Sequence, residues 1–419
     1  MRKTLTWLSL SLGIALSTGG SVLGDVPGQR VNQDVAQGIN RPLQPVQPDT
    51  TQGTGVPLRA VNLDRDRATA ESLGFDEQLW NRQSQPGDRQ ALLKSIDYSL
   101  RYLASSGAAQ AYQRYQVPGI TRDRVRRSLA RFRQLVVASR SPAELQAAVK
   151  REFAFYKSVG KDNQGTVLFT GYFEPIYAAS RKRTAEYRYP LYRLPKDFDR
   201  WPTPHPTRTQ LEGEDGLGKN SPLRGQELVW LRDRFEAFLV QVQGSAKLQM
   251  PDGKVMTVGY AAKTNYPYVS MGRELVKDGK LPQEGLTLEV LINYFHSSPA
   301  ELNQYLPRNQ NFVFFRETYG QPATGSIGVP VTPERSIATD KSLMPPGALA
   351  LIHAPIPFPN ASGQLESRMV NRYVLDQDTG SAIKGAGRVD IFMGTGPRAG
   401  DRAGNINGTG ELYYLLLKS

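Results

Sequence analysis

Three aspartates in the last part of the chain, Asp340, Asp378 and Asp390, have side chains that could do acid–base chemistry. Asp390 stands between Val389 and Ile391, in an apolar segment that runs into a glycine-rich turn. Burial there would raise the pKa of the carboxyl, and each pKa unit is worth about 1.4 kcal/mol. A carboxylic acid that stays protonated near neutral pH can act as a general acid. A carboxyl group in this setting is therefore a candidate general acid.

Two short motifs would give this region a different chemistry. The segment Asp378–Ser381 resembles the loop of an aspartic protease, which needs two such loops because two carboxylates share one proton. The chain has no second loop of this kind, and homodimeric proteases that supply one from a partner are far shorter. The segment Gly394–Gly400 mimics a dinucleotide-binding loop, but Pro397 stands where the turn needs N–H groups. The protease is thus a minor alternative, and dinucleotide binding is excluded.

Glycoside hydrolysis by a pair of carboxylates is a further alternative. The pair would be Asp378 with Asp390, or Asp390 with Glu174. Each acid also has a purely structural interpretation, since Asp340 could cap a turn and Glu174 could lie on a rim. From the residues alone these alternatives stay open.

The composition limits the remaining function classes. The chain has 419 residues, no cysteine and a formal net charge of +13. Its length suggests two or three domains, and the lack of cysteine excludes disulfides, thiolate catalysis and lipid attachment through cysteine. His205, His296 and His353 are far apart and show no metal-ligand spacing, so we expect neither a metal nor another cofactor. The positive charge indicates an acidic partner, but no nucleic-acid-binding motif accompanies it.

The N-terminus has the pattern of an export signal. Two basic residues precede an apolar run at about residues 5–16, and small residues offer a cleavage site after it. The run is too short for an ordinary membrane span. Residues 25–60 are rich in proline, glutamine and glycine, which predicts a disordered linker. We therefore assign residues 1–24 to a signal peptide and expect an exported protein.

Hydrophobic periodicity predicts helices in the segment before residue 160. Apolar residues at 92–103 and again at 145–156 recur with helical spacing. A capping box that begins at Ser141, with Pro142 at the first helical position, predicts a helix start. An arginine-rich segment at 122–133 has the spacing of an amphipathic helix, and we interpret its charges as the solvated face.

After residue 166 the pattern changes to short β-type segments separated by glycine and proline. A polar stretch at about 195–220 is typical of a crossing between two structural units. Two short helices are predicted near 271–277 and 288–295, and a second capping box at Ser298 predicts another.

The C-terminal region resembles two domains of the membrane-bound lytic murein transglycosylase A family: its insert domain and its 3D domain, which is named for three aspartates. The matching segments follow one another in order: Gly171–Pro175, Tyr189–Arg193, Val242–Ser245, Ser270–Gly272, Phe312–Phe315, Gly328–Pro330, Arg335–Asp340, Pro346–Gly347, Gly380–Gly385 and Val389–Gly396. Such an ordered series is far more specific than any single motif. The three aspartates of the domain fall at Asp340, Asp378 and Asp390. Residues up to about 160 match little, and the cysteine that anchors many family members is absent.

The resemblance implies a mainly β fold. A double-psi β-barrel would be built from two chain segments, with a smaller β domain inserted between them and a groove for a glycan strand between the domains. We accordingly expect a helical region and the first part of the barrel at 85–197, the inserted β domain at 198–319, and the second part of the barrel at 320–419.

The resemblance also implies an activity and the residues that perform it. The family cleaves the β-1,4 bond between N-acetylmuramic acid and N-acetylglucosamine without water and leaves a 1,6-anhydro end. Asp390 matches the catalytic aspartate, which would serve as acid and then as base, and Asp378 matches its supporting neighbour. The residues that we predict to bind substrate are Tyr172, Glu174, Asp340, Lys384 and Gly394.

The implied partner is the glycan strand of peptidoglycan, and the implied location is the periplasm. Because the lipobox cysteine is absent, any association with the outer membrane would be loose, and we expect a monomer. The competing class is a non-catalytic module that binds cell-wall polysaccharide. Double-psi barrels of the expansin type bind polysaccharide with little cleavage, and fold alone does not fix function.

Overall fold

The computed structural model describes residues 56–62, 73–81, 86–115 and 117–418. The predicted signal peptide and most of the predicted linker lie outside the described residues. The end of that linker differs from the prediction, because Leu58–Ala60 form a strand, β1, that pairs with the edge of a sheet at Tyr156–Ser158. Within the described ranges, no helix is long and apolar enough to cross a membrane.

The region before residue 153 is helical, as predicted. Its helices in the described part of the chain are α1 (Arg89–Leu103), α2 (Ser106–Arg114), α3 (Arg122–Ala138) and α4 (Pro142–Glu152). The side chain of Ser141 accepts a hydrogen bond from the Glu144 N–H, so the predicted start of α4 is confirmed. Two arginines on the outer face of α3 pair with carboxylates of neighbouring elements, Arg131 with Glu152 and Arg133 with Asp97, as expected of a solvated helix face.

Six strands close into a barrel that draws on two segments of the chain. One strand precedes the inserted region and the others follow it: β3 (Val167–Glu174), β10 (Ser336–Ala338), β11 (Leu349–Pro359), β12 (Leu365–Asp378), β13 (Arg388–Thr395) and β14 (Asn407–Leu417). The order around the barrel is β14-β11-β12-β10-β13-β3, and β3 pairs with β14 to complete the ring. The β3–β13 and β10–β12 pairs are parallel, whereas the others are antiparallel. β2 (Phe153–Ser158) and β1 extend the sheet beyond β14.

A second sheet is formed by the residues between β3 and β10. Its strands are β4 (Ile176–Ser180), β5 (Tyr189–Tyr192), β6 (Glu227–Leu231), β7 (Ser245–Gln249), β8 (Val255–Lys263) and β9 (Val313–Glu317), in the order β5-β6-β4-β7-β8-β9. The accompanying helices are α5 (Arg208–Glu212), α6 (Arg234–Gln243), α7 (Met271–Lys277), α8 (Leu288–Ser297) and α9 (Pro299–Tyr305), while α10 (Pro397–Gly404) follows β13. The expected fold class is confirmed: a mainly β protein in which a barrel built from two chain segments carries an inserted sheet and an N-terminal helical region.

One predicted capping box is not formed. α9 does begin at Pro299, but the side chain of Ser298 makes no capping hydrogen bond. Ser298 also ends α8, where its N–H donates to the carbonyl oxygen of Tyr294. Its backbone therefore serves two helix ends at once and does not adopt the extended conformation that a capping serine usually has.

The largest hydrophobic core lies between the N-terminal helices and the barrel. Phe132 of α3 packs against Phe153 and Tyr373, with ring centroids 6.2 and 4.7 Å away. Ile337, in the short strand β10, is completely buried. This packing fixes β10 between β12 and β13, the strands that carry the predicted catalytic aspartates.

Candidate active site

Strand β10 lies between the two predicted catalytic aspartates. Ala338 pairs with Asp390 of β13 on one side and with Asp378 of β12 on the other. On the far side of β13, Thr170 of β3 lies opposite Asp390. The site is therefore assembled from strands that stand before and after the inserted sheet in the sequence.

Asp390 is half-buried. The pKa of Asp390 is raised to about 6: burial and the negative charge of Asp378 raise it, whereas a hydrogen bond from Thr170 and the positive charge of Arg388 lower it. The Thr170 hydroxyl donates that bond to Oδ1 over 2.7 Å. A group with such a pKa can give up and regain a proton near neutral pH, so it can serve as acid and as base.

Asp378 is surrounded by hydrogen-bond donors. Burial raises its pKa, while the bonds that it accepts oppose the rise. The Tyr172 hydroxyl donates to Oδ2 over 2.8 Å, and the N–H groups of Ser326 and Thr379 each donate to Oδ1 over 2.8 Å. Three donors suit an ionised carboxylate. Asp390 accepts a bond from Thr170 alone among the described residues, so it is the better suited of the two to hold a proton.

Tyr172 and Arg388 hold the surroundings of the pair in place. The ring of Tyr172 packs on that of Phe392, with centroids 5.2 Å apart, and burial raises the pKa of its hydroxyl well above the usual value. The Nη2 of Arg388 donates to the Thr170 hydroxyl oxygen over 3.1 Å, and its buried Nε has no hydrogen-bond partner in the described part of the chain. Burial lowers the pKa of Arg388, although Asp390 nearby opposes this. Tyr172 thus reaches the site through Asp378, and the substrate-binding role predicted for it stays a prediction.

Asp340 is not brought to the Asp378–Asp390 pair. Its Oδ1 accepts hydrogen bonds from the N–H and hydroxyl of Ser342, at 3.1 and 2.7 Å, and its Oδ2 accepts one from the Gly385 N–H at 2.9 Å. Burial would raise the pKa of Asp340, but these bonds and the charge of Lys384 lower it. The side chain is 6% exposed. Asp340 thus links two turns through its hydrogen bonds, and the substrate-binding role predicted for it stays a prediction.

The hydrogen bonds of Glu174 show where its side chain lies, while the substrate-binding role predicted for it stays a prediction. Its side chain is buried, and Oε2 accepts a hydrogen bond from the Thr395 hydroxyl over 2.7 Å, with the Lys247 Nζ 3.8 Å away. Glu174 stands four residues beyond Thr170, the residue opposite Asp390, which is about 13 Å along a strand. That exceeds the separation of about 5–9.5 Å found between paired glycosidase carboxylates. Glu174 therefore joins the barrel to the inserted sheet, and the Asp390–Glu174 pair is not supported.

Lys384 and Gly394, the remaining predicted substrate-binding residues, lie in the turn between β12 and β13 and near the end of β13. Lys384 is exposed and lies near Lys263 of the inserted sheet. Gly394 has φ +112°, a conformation that side chains rarely adopt, and a Cβ there would lie 3.3 Å from Pro333. Lys384 is thus free to meet a ligand, whereas Gly394 shapes the backbone.

The sequence matches two family descriptions over most of the described chain. Residues 168–316 match "MltA specific insert domain" and residues 335–416 match "3D domain". The membrane-bound lytic murein transglycosylase A of Escherichia coli K12 is 32% identical over 258 residues, which cover 61% of this chain and 67% of that protein. The protein of the same name from Vibrio cholerae is 33% identical over 264 residues, covering 62% and 68%. The chain belongs to the membrane-bound lytic murein transglycosylase A family.

Solved structures of the family have the same fold. A membrane-bound lytic murein transglycosylase from Agrobacterium tumefaciens gives a TM-score of 0.64 at 26% identity and covers 79% of this chain and 93% of its own. Escherichia coli MltA with bound chitohexaose gives 0.61 at 26% identity and covers 83% and 97%. The likeness extends well beyond the two matched domains, into the region of the N-terminal helices.

Sequence reasoning missed two residues of the site in this member of the transglycosylase A family. Thr170 stands two residues before Tyr172, and Arg388 two residues before Asp390. Alternate residues of a strand share a face, so the strand period would have placed both beside residues that were already predicted.

Proposed function

We propose that this protein is a lytic transglycosylase that cleaves the β-1,4 bond between N-acetylmuramic acid and N-acetylglucosamine in peptidoglycan and leaves a 1,6-anhydro end. The observation that carries the proposal is the half-buried Asp390 carboxyl, whose pKa of about 6 suits both acid and base catalysis. Family membership supports the class of activity, since the relatives from Escherichia coli and Vibrio cholerae are named for it.

In the first step, protonated Asp390 donates its proton to the glycosidic oxygen. The bond between that oxygen and C1 of the muramyl residue breaks, and the N-acetylglucosamine portion leaves with the new hydroxyl. Positive charge that develops at C1 is stabilised by the carboxylate now present at Asp390. Burial favours the protonated form that begins this step.

In the second step, the Asp390 carboxylate removes the proton from the C6 hydroxyl of the same muramyl residue. The C6 oxygen attacks C1 and closes the 1,6-anhydro ring, and Asp390 regains the proton that it gave away. No water is consumed, and no second carboxylate is needed to activate one, in contrast to ordinary glycosidases. The absence of Glu174 from the Asp390 site is consistent with a mechanism that uses one acid–base group.

Asp378 acts through Asp390 in this mechanism. It is held by Tyr172 and two backbone N–H groups, and its negative charge raises the pKa of Asp390. It thereby favours the protonated catalyst before cleavage. The hydrogen bond from Thr170 works in the opposite direction and keeps Asp390 a usable base afterwards.

Cationic side chains around the site suit a substrate with carboxylates. Lys263 lies near Lys384, and Arg273 lies near Arg388, so like charges approach each other from the inserted sheet and from the barrel. None of these four forms an ion pair within 4 Å among the described residues. The peptide stems of peptidoglycan carry carboxylates that would supply the missing negative charge. A family member has been solved with chitohexaose, which supports a glycan ligand for the same site.

The proposed partner and location follow from the substrate. Peptidoglycan lies in the periplasm, and the predicted export signal would deliver the protein there. The relatives are called membrane-bound, and we propose a loose association of this protein with the outer membrane. We propose that the protein acts as a monomer.

The test is mass spectrometry of soluble products after the purified protein is incubated with peptidoglycan sacculi. We expect anhydro-muropeptides from the wild type and none from Asp390→Asn. Asp401→Asn is the matched control, because Asp401 is an exposed aspartate on α10, and it should retain the activity. Products with reducing ends would show that water is the acceptor. If neither wild type nor variant released products but both stayed bound to the sacculi, the protein would be a binding module.

A further inference from the structure

Strand β12 contains one extra residue immediately before Asp378. Ile337 of β10 pairs with Asp376, and the next residue, Ala338, pairs with Asp378, so Gln377 has no counterpart in the ladder. Such a bulge changes the direction of the side chains beside it, and bulges are frequent near active sites. The conformation at Gln377 therefore sets the direction of the Asp378 carboxyl.

The side chain of Gln377 is completely buried and uses all of its hydrogen-bonding capacity. Its Oε1 accepts bonds from the hydroxyls of Ser95, at 3.1 Å, and Ser336, at 2.5 Å. Its Nε2 donates to the Ser95 carbonyl oxygen, at 2.8 Å, and to the Ser99 hydroxyl, at 2.9 Å. An amide offers two donors and two acceptor positions, and all four are filled. A buried network that is complete in this way favours one conformation over all others.

The helix α1 supplies three of these four bonds. Ser95 and Ser99 are one turn apart and completely buried, on the same face as the apolar Leu92 and Ile96. A hydroxyl at such a position costs free energy unless it is hydrogen-bonded, and serine is only a moderate helix former. Contact with Gln377 explains why two serines occupy the buried face of this helix.

We infer that Gln377 is a positioning residue through which α1 holds the bulge that directs Asp378 toward Tyr172 and the catalytic Asp390. The inference rests on the proposed function and assigns the helical region a part in it. Ser95 and Ser99 lie outside both matched domains, at residues 168–316 and 335–416. The N-terminal helices are thus a support of the active site and not only a cover for the barrel.

Single substitutions of the two serines test the inference with little risk to folding. Ser99→Ala removes one bond to Gln377, and Ser95→Ala removes another. We expect each to lower kcat on sacculi about three- to tenfold with KM unchanged within about twofold, because a misdirected Asp378 affects chemistry and not binding. Gln377→Ala should lower kcat more, and Ser99→Ala should have no further effect in that background, since both act through one contact.

Ser128→Ala is the matched control. Ser128 of α3 is as buried as the two serines, donates to the Arg124 carbonyl oxygen over 2.7 Å and accepts from the Leu417 N–H over 2.8 Å. It should lower the melting temperature by a similar amount and leave kcat unchanged.

Three outcomes decide the inference. An unchanged kcat in Ser95→Ala and Ser99→Ala would overturn it, whether or not Gln377→Ala folds. An equal loss of kcat in Ser128→Ala would also overturn it, because the effect would then follow from stability. If the wild type released no products, the proposed function would fail on its own, and a crystal structure of Ser99→Ala would decide: an unmoved Asp378 carboxyl would contradict the inference, and one turned away from Tyr172 would support it.

Discussion

Thr170 and Asp390 face each other across two parallel strands, and a hydrogen bond of 2.7 Å joins side chains that are 220 residues apart in the chain. The Thr170 hydroxyl has one hydrogen, which it donates to Asp390, so its oxygen is free to accept the bond from Arg388. This relay of hydrogen bonds, from Arg388 through Thr170 to Asp390, favours the ionised form of Asp390 and limits the rise in pKa that burial causes. In the proposed mechanism, in which Asp390 acts as acid and then as base, such a balance is needed.

Thr170→Val removes the hydrogen bond and keeps the shape of the side chain. Because a bond donated to a carboxylate favours the charged form, its loss should raise the pKa of Asp390 above about 6. The alkaline limb of the kcat/KM profile should then move to higher pH, by roughly one unit. Thr409→Val, at an exposed position of the neighbouring β14, is the control and should leave the profile unchanged. A shift to lower pH in Thr170→Val would contradict the relay.

Asp378→Asn should move the same limb in the opposite direction. The negative charge of Asp378 raises the pKa of Asp390, so a neutral amide of the same shape should lower it. At neutral pH less of Asp390 would then be protonated, and kcat should fall. The pH profile of kcat/KM is the measurement, and a shift of the alkaline limb to higher pH in Asp378→Asn would contradict this prediction.

Asp390→Asn should stabilise the folded protein at neutral pH while it abolishes activity. The pKa of Asp390 is higher when folded than the ordinary value of 3.8, so the ionised carboxylate opposes folding above about pH 6 and has no such effect below about pH 4. The variant should therefore melt a few degrees higher than wild type at pH 7.5 and at the same temperature at pH 3.5. Calorimetry at both pH values is the check, with Asp401→Asn as the control that should show no such difference.

Asp76 should contribute stability with the opposite dependence on pH. It is completely buried, and burial alone would raise its pKa, but Arg335 and Arg372 lower it below the ordinary 3.8. Its contribution is thus present above about pH 4 and is lost as the pH falls through the lowered value. Asp76→Ala should cost about 3 kcal/mol of unfolding free energy at pH 7, because Arg335 loses one of its buried partners.

Urea denaturation at pH 7 and pH 3 measures the effect of Asp76→Ala, which should shrink at the lower pH. Asp97→Ala is the matched control, since Asp97 forms an exposed ion pair with Arg133 and should cost less than about 1 kcal/mol. Equal losses in the two variants would mean that burial does not strengthen the Asp76 pair.

Arg273→Ala should distinguish glycan with peptide stems from glycan without them. Arg273 is exposed and lies near Arg388, so its removal should weaken the attraction of stem carboxylates and raise KM for intact sacculi, by about three- to tenfold. KM for glycan stripped of peptides should not change. Lys277→Ala, an exposed cation on the same helix, is the control. Similar effects on both substrates would mean that Arg273 does not bind the peptide stems.

The sequence was informative where an acid broke a local pattern. Asp390 interrupts an apolar strand, and that alone indicated a raised pKa. The sequence did not reveal the hydrogen bonds of Asp340 and Glu174, because a motif does not show whether a carboxylate is already hydrogen-bonded. Both are occupied by donors of the protein itself, from Gly385 and Thr395. Strand period could have identified Thr170 and Arg388, which share faces with residues that were predicted.

No sequence pattern predicts some other parts of the site. The bond from Gln377 to the Ser95 carbonyl oxygen spans 282 residues, and neither residue type is unusual where it stands. A β-bulge depends on the partner strand, so it becomes visible only when β10 and β12 are paired. Contacts of this kind follow from tertiary packing and not from local propensity.

The closure of the barrel through β3 also determines when the molecule can first act. On the ribosome, Thr170 is made 220 residues before the aspartate that it serves, and the ring closes only when β3 pairs with β14. Pairings between such distant segments are slow to form, because the entropy cost of closing a long loop comes before the contacts that offset it. Until β13 and β14 have been made, β3 therefore lacks the strands that pair with it in the barrel, and Thr170 has no Asp390 to bond with.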